Sequence, residues 1–420
     1  MTEFAPVEAA DRFDIAVVGT GPTGLAAALA LASGGARTAL VGWRGPSGKD
    51  LRTAALFPAG VRFLERLGAW QACREKVAPL RAIRLLDDTS WFLRAPETEF
   101  TAAELGETAL AWNVANTDLV AALSGAADRS RSLTRFTVGG APSFARSKGA
   151  VIVQLADEKA ISARLVVAAD GRDSPLRAFA GITARTRPLD QTAIVATFTH
   201  SRPHGDVSTE IHRDAGPLTI VPLVGNRSSL VWVERPREVA RLTRLGDAEF
   251  MAILQNRLHG LLGSLSELGP RMSFPLQWLD VDRFIGDRIA LVGEAAHVLP
   301  PIGAQGLNLG LRDGAELAET LLPHLAASED PGDPSTLKVY DRARRRDALA
   351  RSFTVDLLNR SLESGALPLQ LARGLGLFAL AMSPTLKRAV MRHGAGGLGL
   401  PTGEWGRPEV LVPSRNAGRG

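Results

Sequence analysis

Residues 15–36 carry no charged side chain, and this stretch constrains the fold more than any other part of the chain. A run so long and apolar is either a membrane span or the buried opening of an α/β domain. Five glycines and Pro22 interrupt it, no basic segment precedes it, and Asp11 and Asp14 stand in front. It therefore reads as neither span nor signal peptide. Residues 13–18 form a short strand, Gly19-Thr20-Gly21-Pro22-Thr23-Gly24 a turn, and an Ala/Leu-rich helix runs to about Ser33 before a second strand at 38–41. That is the setting in which GxGxxG binds a dinucleotide: the first glycine turns the chain, the second admits a pyrophosphate, and the third packs helix on strand. An acidic residue ordinarily ends the second strand and accepts ribose hydroxyls, whereas Gly42 and Trp43 stand there. Either other groups hold the ribose or the adenosine end is bound loosely.

Two further stretches have the same strand-to-helix form. Residues 161–177 make an apolar strand ending in Asp170-Gly171, followed by Ser174-Pro175 and a helix start. Residues 284–313 run from a strand at 289–292, through Gly293-Glu294, Pro300, Pro301, Gly303 and Gly306, into a helix. That helix has Leu307, Leu311, Ala315, Ala318 and Leu322 at helical spacing and is expected to stop at Pro323. Between the second and third stretches the pattern turns β-rich, with strands at 192–199, 218–223, 229–234 and 272–278 and a helical stretch at 237–262. Strands are also expected at 83–86, 90–93 and 110–114; residues 50–56 are expected to lead into a helix to about Leu67, and another helix to start from Asn116. After a break at 331–334, helices are expected from Thr336, at 352–362 and at 367–382, and disorder at 413–420.

A length of 420 residues, with 45% hydrophobic content, suffices for two domains with sizeable cores. A single cysteine, Cys73, excludes an internal disulfide framework and fits a reducing compartment. With seven scattered histidines, no metal site is expected. The chain carries +5 overall, yet from Asp341 onward 13 Lys/Arg face six Asp/Glu, a balance of +7. No aromatic interleaving accompanies that charge, so nucleic acid is not the expected partner. The open alternatives are a solvated helical face and contact with an anionic membrane surface.

The run Pro301-Ile-Gly-Ala-Gln-Gly-Leu-Asn-Leu-Gly-Leu-Arg-Asp313 resembles the third flavin motif of class A FAD-dependent aromatic monooxygenases, within them the ubiquinone-biosynthesis hydroxylases. The other two motifs stand in the matching order. The resemblance implies an α/β fold with a Rossmann-like FAD-binding domain of glutathione-reductase type, an inserted antiparallel β-sheet substrate domain and a helical C-terminal region. The corresponding divisions are 1–82, 110–185 and 284–345 for FAD, 83–109 and 186–283 for substrate, and 346–420 for the tail.

The resemblance also implies which residues meet FAD: Gly19, Gly21, Pro22, Thr23 and Gly24 in the first motif, with Arg52, Thr53 and Asn116 nearby. Asp170 and Gly171 follow in the second. Gly293, Glu294, Pro301, Gly303, Gln305, Gly306, Leu307 and Asn308 follow in the third. Glu294 replaces the family's usual Asp, and Asn116 an arginine common in relatives. Arg52 as a surface side chain and Asn116 as a plain helix cap are the bland alternatives. No side chain is implied as a proton-transfer catalyst; His297 reads as structural, and Gln305 is the one candidate beside flavin or substrate. The implied chemistry has NAD(P)H reduce FAD and oxygen add to give a flavin C4a-hydroperoxide that hydroxylates a polyprenylated phenol. The alternatives are another aromatic or polyketide substrate, or a non-catalytic scaffold in a membrane-associated complex. The expected location is the cytoplasm, with peripheral contact on the membrane's inner face through the basic tail.

Overall fold

The structure is a computed structural model and describes residues 11–43, 50–90, 94, 96–156, 159–301, 303–363, 376 and 383–392. The expected helix at 367–382, the tail at 413–420 and most of the strand at 90–93 lie outside the described residues.

Apolar, β-branched segments form the centre of the first sheet. Its parallel strands lie in the order Ile289–Leu291, Ala160–Ala168, Asp11–Val18, Thr38–Trp43, Leu133–Val138. The four strands from Ile289–Leu291 to Thr38–Trp43 are largely buried on both faces, which explains why they read as near-continuous hydrophobic runs, whereas Leu133–Val138 at the edge is half exposed. A hairpin of Ser143–Ser147 and Ala150–Gln154 continues the sheet antiparallel from Ala160–Ala168. Register matters most here. Val18 pairs with Ala168 and Ala168 with Leu291, so three strands from distant parts of the sequence end side by side.

The helix Pro22–Ser33 follows the first strand and is buried from Gly24 to Ala32. An alanine-rich helix tolerates this because it is covered by the sheet and by the helix Gln305–Ala326. The crossing is close. A Cβ on Gly310 would lie 2.5 Å from Thr23 Oγ1, and one on Gly314 would lie 3.2 Å from Ala27 Cβ.

The second sheet runs His297–Val298, Met272–Val281, Ala184–His200, Arg227–Glu234, Leu218–Leu223, Val207–His212, Ala82–Asp87, Thr98–Thr101. Its pairs are antiparallel except Val207–His212 beside Ala82–Asp87. Helices Pro236–Arg244 and Asp247–Arg257 cover one face, packing Val239, Leu242, Phe250 and Leu254 onto Ile194, Phe198, Ile211, Leu218, Ile220 and Trp232. The opposite face looks toward the first domain. There Val221 meets Phe57, Leu80 and Ala111 of a small sheet, Thr53–Leu56, Ala111–Ala115 and Ala78–Leu80.

Three expectations need correction, and one strand was not foreseen. Residues 53–56 form a strand paired with Ala111–Ala115, just ahead of the helix that begins at Pro58. The stretch at 237–262 is two helices, separated at Leu245 and Gly246, both extended in backbone. Pro323 does not end its helix, which continues to Ala326. The ring forfeits only the bond back to residue 319, and Ala327 N–H still reaches Pro323 O at 3.1 Å. Finally, the helices expected from Thr336 and at 352–362 are one element, Pro334–Glu363. Asp333 caps it, accepting from the N–H groups of Ser335 at 2.8 Å and Thr336 at 3.3 Å, with Pro334 in the first turn.

A candidate flavin site at three strand ends

The three motifs meet where the strands end. Gly19 has φ +122°, and a Cβ there would stand 2.0 Å from Ala169 O, so only glycine lets the first turn pass the second motif. A Cβ on Gly24 would lie 2.1 Å from Gly19 O and 3.0 Å from Ala169 Cβ. Gly21 is different: nothing lies within 4 Å of its added Cβ. The three glycines thus divide into two that the protein itself fills and one facing open space, at the N-terminus of Pro22–Ser33. The first N–H groups of that helix have no intrahelical acceptor and point into the same space.

Thr23 points inward. Its side chain lies against Gly293, whose added Cβ would be 3.0 Å from Thr23 Cγ2, and against Gly310. It joins motif one to motif three by packing. Gly42 has an equally local cause. A Cβ there would meet Thr20 Cγ2 at 2.4 Å, so Thr20 occupies the space an acidic side chain would need.

Asp170 is the most telling residue of the second motif. Its Oδ2 accepts from Leu176 N–H at 3.1 Å, while its buried Oδ1 has no partner among the described residues. Burial pushes its carboxyl up, against the pull of Ser174 and the Leu176 N–H. Gly171 follows with φ +90° and open space at its Cβ position. Arg177 ties this motif to the third, its Nη1 donating to Ala295 O at 2.8 Å.

The charged residues form one chain across the mouth. Arg52 grips Asp50 with two hydrogen bonds of 2.9 Å, through Nε and Nη2. Asn116 Nδ2 donates to the same carboxylate at 3.1 Å, and its N–H to Arg52 O at 3.0 Å. Burial opposes the charge on Asp50, but the bonds from Arg52 and Asn116 outweigh it and hold the carboxyl below its usual range. Glu294, half exposed, lies 3.8 Å from Arg52 and 3.9 Å from Arg172. Arg52 also stacks toward Phe274 of the second sheet, 5.7 Å from the ring centre.

In the third motif Gly303 and Ala304 both adopt left-handed backbone, φ +64° and +53°, immediately before the helix Gln305–Ala326. Gly303 and Gly306 are exposed, Gln305 is partly buried, and Pro301 lies at the exposed turn. Leu307 packs against the main core. Asn308 is occupied by backbone: it accepts from Phe57 N–H at 3.0 Å and donates to Ala55 O at 2.7 Å and Ala304 O at 2.8 Å. Thr53 likewise turns to the second sheet, 3.0 Å from Ser229 Oγ. These two fix the frame around the site.

Of what lies beneath, sequence reasoning read only His297, as structural. Asp313, at 0% exposure, accepts from Gly293 N–H at 2.8 Å and lies 2.6 Å from His297 Nε2. Arg344 Nε reaches its other oxygen at 2.7 Å. Asp313 closes the quoted motif, but only an arginine-rich helix hinted at Arg344, and nothing linked the two.

The donor set fits FAD: an open glycine at a helix N-terminus, an unpartnered buried carboxylate oxygen, and a second helix N-terminus across the gap. Fold and site together define a flavoprotein of the class that binds FAD at the carboxyl edge of a parallel sheet. Residues 12–352 match the family model described as FAD binding domain. The chain is 37% identical to ubiquinone hydroxylase UbiL of Rhodospirillum rubrum over 92% of its own length and 90% of the relative's. It is 29% identical to 3-demethoxyubiquinol 3-hydroxylase of Escherichia coli, over 91% and 98%. The fold matches p-nitrophenol 4-monooxygenase PnpA of Pseudomonas putida with TM-score 0.73, 18% identity, and coverage of 91% and 98%. The protein belongs to the FAD-dependent aromatic monooxygenases, in the group of the ubiquinone hydroxylases.

Proposed function

We propose that this protein is an FAD-dependent monooxygenase that hydroxylates the ring of a polyprenylated phenol on the route to ubiquinone. The reading rests on the glycine cradle at the joined strand ends, in a chain aligned with ubiquinone hydroxylase UbiL along nearly its whole length. When bound, FAD supplies the redox chemistry, carrying electrons from NAD(P)H to oxygen, one atom of which enters the ring. The protein binds and aims. Gly21 and the N–H groups of the first helix would hold the pyrophosphate, with Asp170 offering its spare oxygen to a donor of the cofactor. The N-terminus of Gln305–Ala326 would stabilise negative charge developing on the flavin. Glu294 and Arg52 would hold the ribityl chain. Thr219, Val221, Val231, Met272 and Phe274 are partly exposed on the sheet face toward the site, a surface suited to an apolar substrate.

The helix Pro334–Glu363 supports peripheral contact with anionic lipid. Lys338, Arg342, Arg345 and Arg346 are exposed, beside Val339 at 56% and Leu349 at 64% exposure. Among the described residues no helix is long and apolar enough to cross a membrane.

Quinone profiling of a deletion strain tests the function. Loss of ubiquinone with accumulation of a prenylated phenol short of one oxygen supports it. An unchanged pool, in a strain lacking any duplicate hydroxylase, refutes it.

A further inference from the structure

The second sheet carries a carboxylate–imidazole pair on the face that looks toward the candidate flavin site, and the mechanism above does not use it. Strand alternation separates the residues of Val207–His212. Ile211 points into the helix-covered core with Leu218, Ile220 and Trp232. Ser208, Glu210 and His212 therefore point to the other side. The register places them. Glu210 pairs with Thr219, and Thr219 with Val231, which continues through Val195 to Met272. On its other side Glu210 pairs with Leu85, so it is the one ionisable member of a row that otherwise runs Leu85, Thr219, Val231, Val195 and Met272. Ser229, one residue pair along, touches Thr53 beside Arg52. Two strand spacings and one residue pair separate Glu210 from Ser229, roughly 12 Å. That is about the reach of a substituted aromatic ring with its substituents.

Along its own strand Glu210 binds His212, two residues on. His212 Nε2 lies 2.9 Å from Glu210 Oε1, and the two side chains are only 10% and 13% exposed. The second oxygen of Glu210 has no hydrogen-bond partner among the described residues. A carboxylate at an apolar wall is costly unless it is hydrogen-bonded, and His212 meets only half of its capacity. The natural complement is a hydroxyl donor on an otherwise apolar ligand.

We infer that Glu210, held by His212, is the polar anchor of the substrate pocket and accepts a hydrogen bond from the phenolic hydroxyl. The inference rests on the phenol reading given above. Glu210 selects phenols over their ethers, and a hydrogen bond to the carboxylate enriches the ring toward oxygen transfer. His212 is a positioning residue that fixes the carboxylate rotamer.

The test uses the full-length holoprotein with two probes, 2-geranylphenol and its methyl ether, and reads dissociation constants from the perturbed flavin spectrum. In the wild type the phenol binds at least about tenfold more tightly than the ether, as a hydrogen bond to a charged group provides. Glu210→Gln and His212→Ala reduce that ratio toward one, with unchanged affinity for the ether and unchanged FAD content. Equal discrimination in wild type and Glu210→Gln overturns the assignment of Glu210 while leaving the phenol reading intact. Failure of the wild type to bind either probe overturns the phenol reading, and the anchor falls with it.

Discussion

The carboxylate of Asp313 and the guanidinium of Arg344 meet at 2.7 Å with almost no solvent contact. Arg344 belongs to the helix Pro334–Glu363, outside the strand–turn–helix units that form the cradle. Through Asp313, that helix holds the N–H of Gly293 and the ring of His297 in place beneath the candidate site. Arg344 is itself held by Asp347 at 2.9 Å.

Replacing Asp313 by Asn strands the buried guanidinium of Arg344 and weakens the contact with His297. Removing one member of such a group typically costs about 3–5 kcal/mol. Urea unfolding of the apoprotein at neutral pH is expected to show a loss of that order. Burial opposes the charge on Asp313, but His297 and Arg344 outweigh it and hold the carboxyl below the usual range. Its folded-state pKa is therefore below its unfolded value, so its contribution is full at neutral pH. It is lost as the pH falls through the folded value, below roughly pH 4. The Asp313→Asn protein should show a shallower decline over that window than the wild type.

Asp170 carries the opposite sign. Burial raises its carboxyl, so its charge costs folding stability as the pH rises through that raised value. Asp170→Asn apoprotein is expected to be more stable than wild type at pH 7, with the gap closing on acidification. FAD affinity, measured by fluorescence quenching, should fall about tenfold if the spare oxygen accepts from the cofactor. Unchanged affinity would remove Asp170 from the cofactor site.

The two glycines of the first turn make a sharper pair. Gly21→Ala adds a methyl to open space at φ −70°, so apoprotein stability should stay within about 0.5 kcal/mol of wild type while FAD affinity collapses. Gly19→Ala meets Ala169 O and an unfavourable backbone angle, and should fail to fold. Thermal melts with and without FAD separate the two cases.

Restoring the missing ribose acid should need two changes. Gly42→Asp alone clashes with Thr20 and is expected to cost about 1–3 kcal/mol by overpacking. Gly42→Asp with Thr20→Gly should relieve the clash and tighten FAD binding relative to Thr20→Gly alone. Calorimetric titration of the apoproteins decides it.

Much of this arrangement was legible in the chain. The first helix ends at Ser33 as its pattern indicates, and the strand Leu218–Leu223 has the expected limits. Periodicity and glycine spacing are local properties, and local reading reaches them. It could not reveal that Thr23, Thr53 and Asn308 would be used in packing and framing, because their partners Gly310, Ser229 and Phe57 are remote in sequence. The strand Thr53–Leu56 was missed for the same reason: TAAL has no β signal of its own and is held by Ala111–Ala115. Pro323 misled because the rule that proline ends helices weakens in a last turn.

The close crossing at Gly310 and Gly314 has a consequence for biosynthesis. The helix Pro22–Ser33 leaves the ribosome some 280 residues ahead of the helix that covers it. At roughly 5–20 residues per second, its apolar surface waits about 15–60 s for that cover. Chaperone capture of stalled nascent chains, read by crosslinking, is expected to fall once residues 305–326 have emerged.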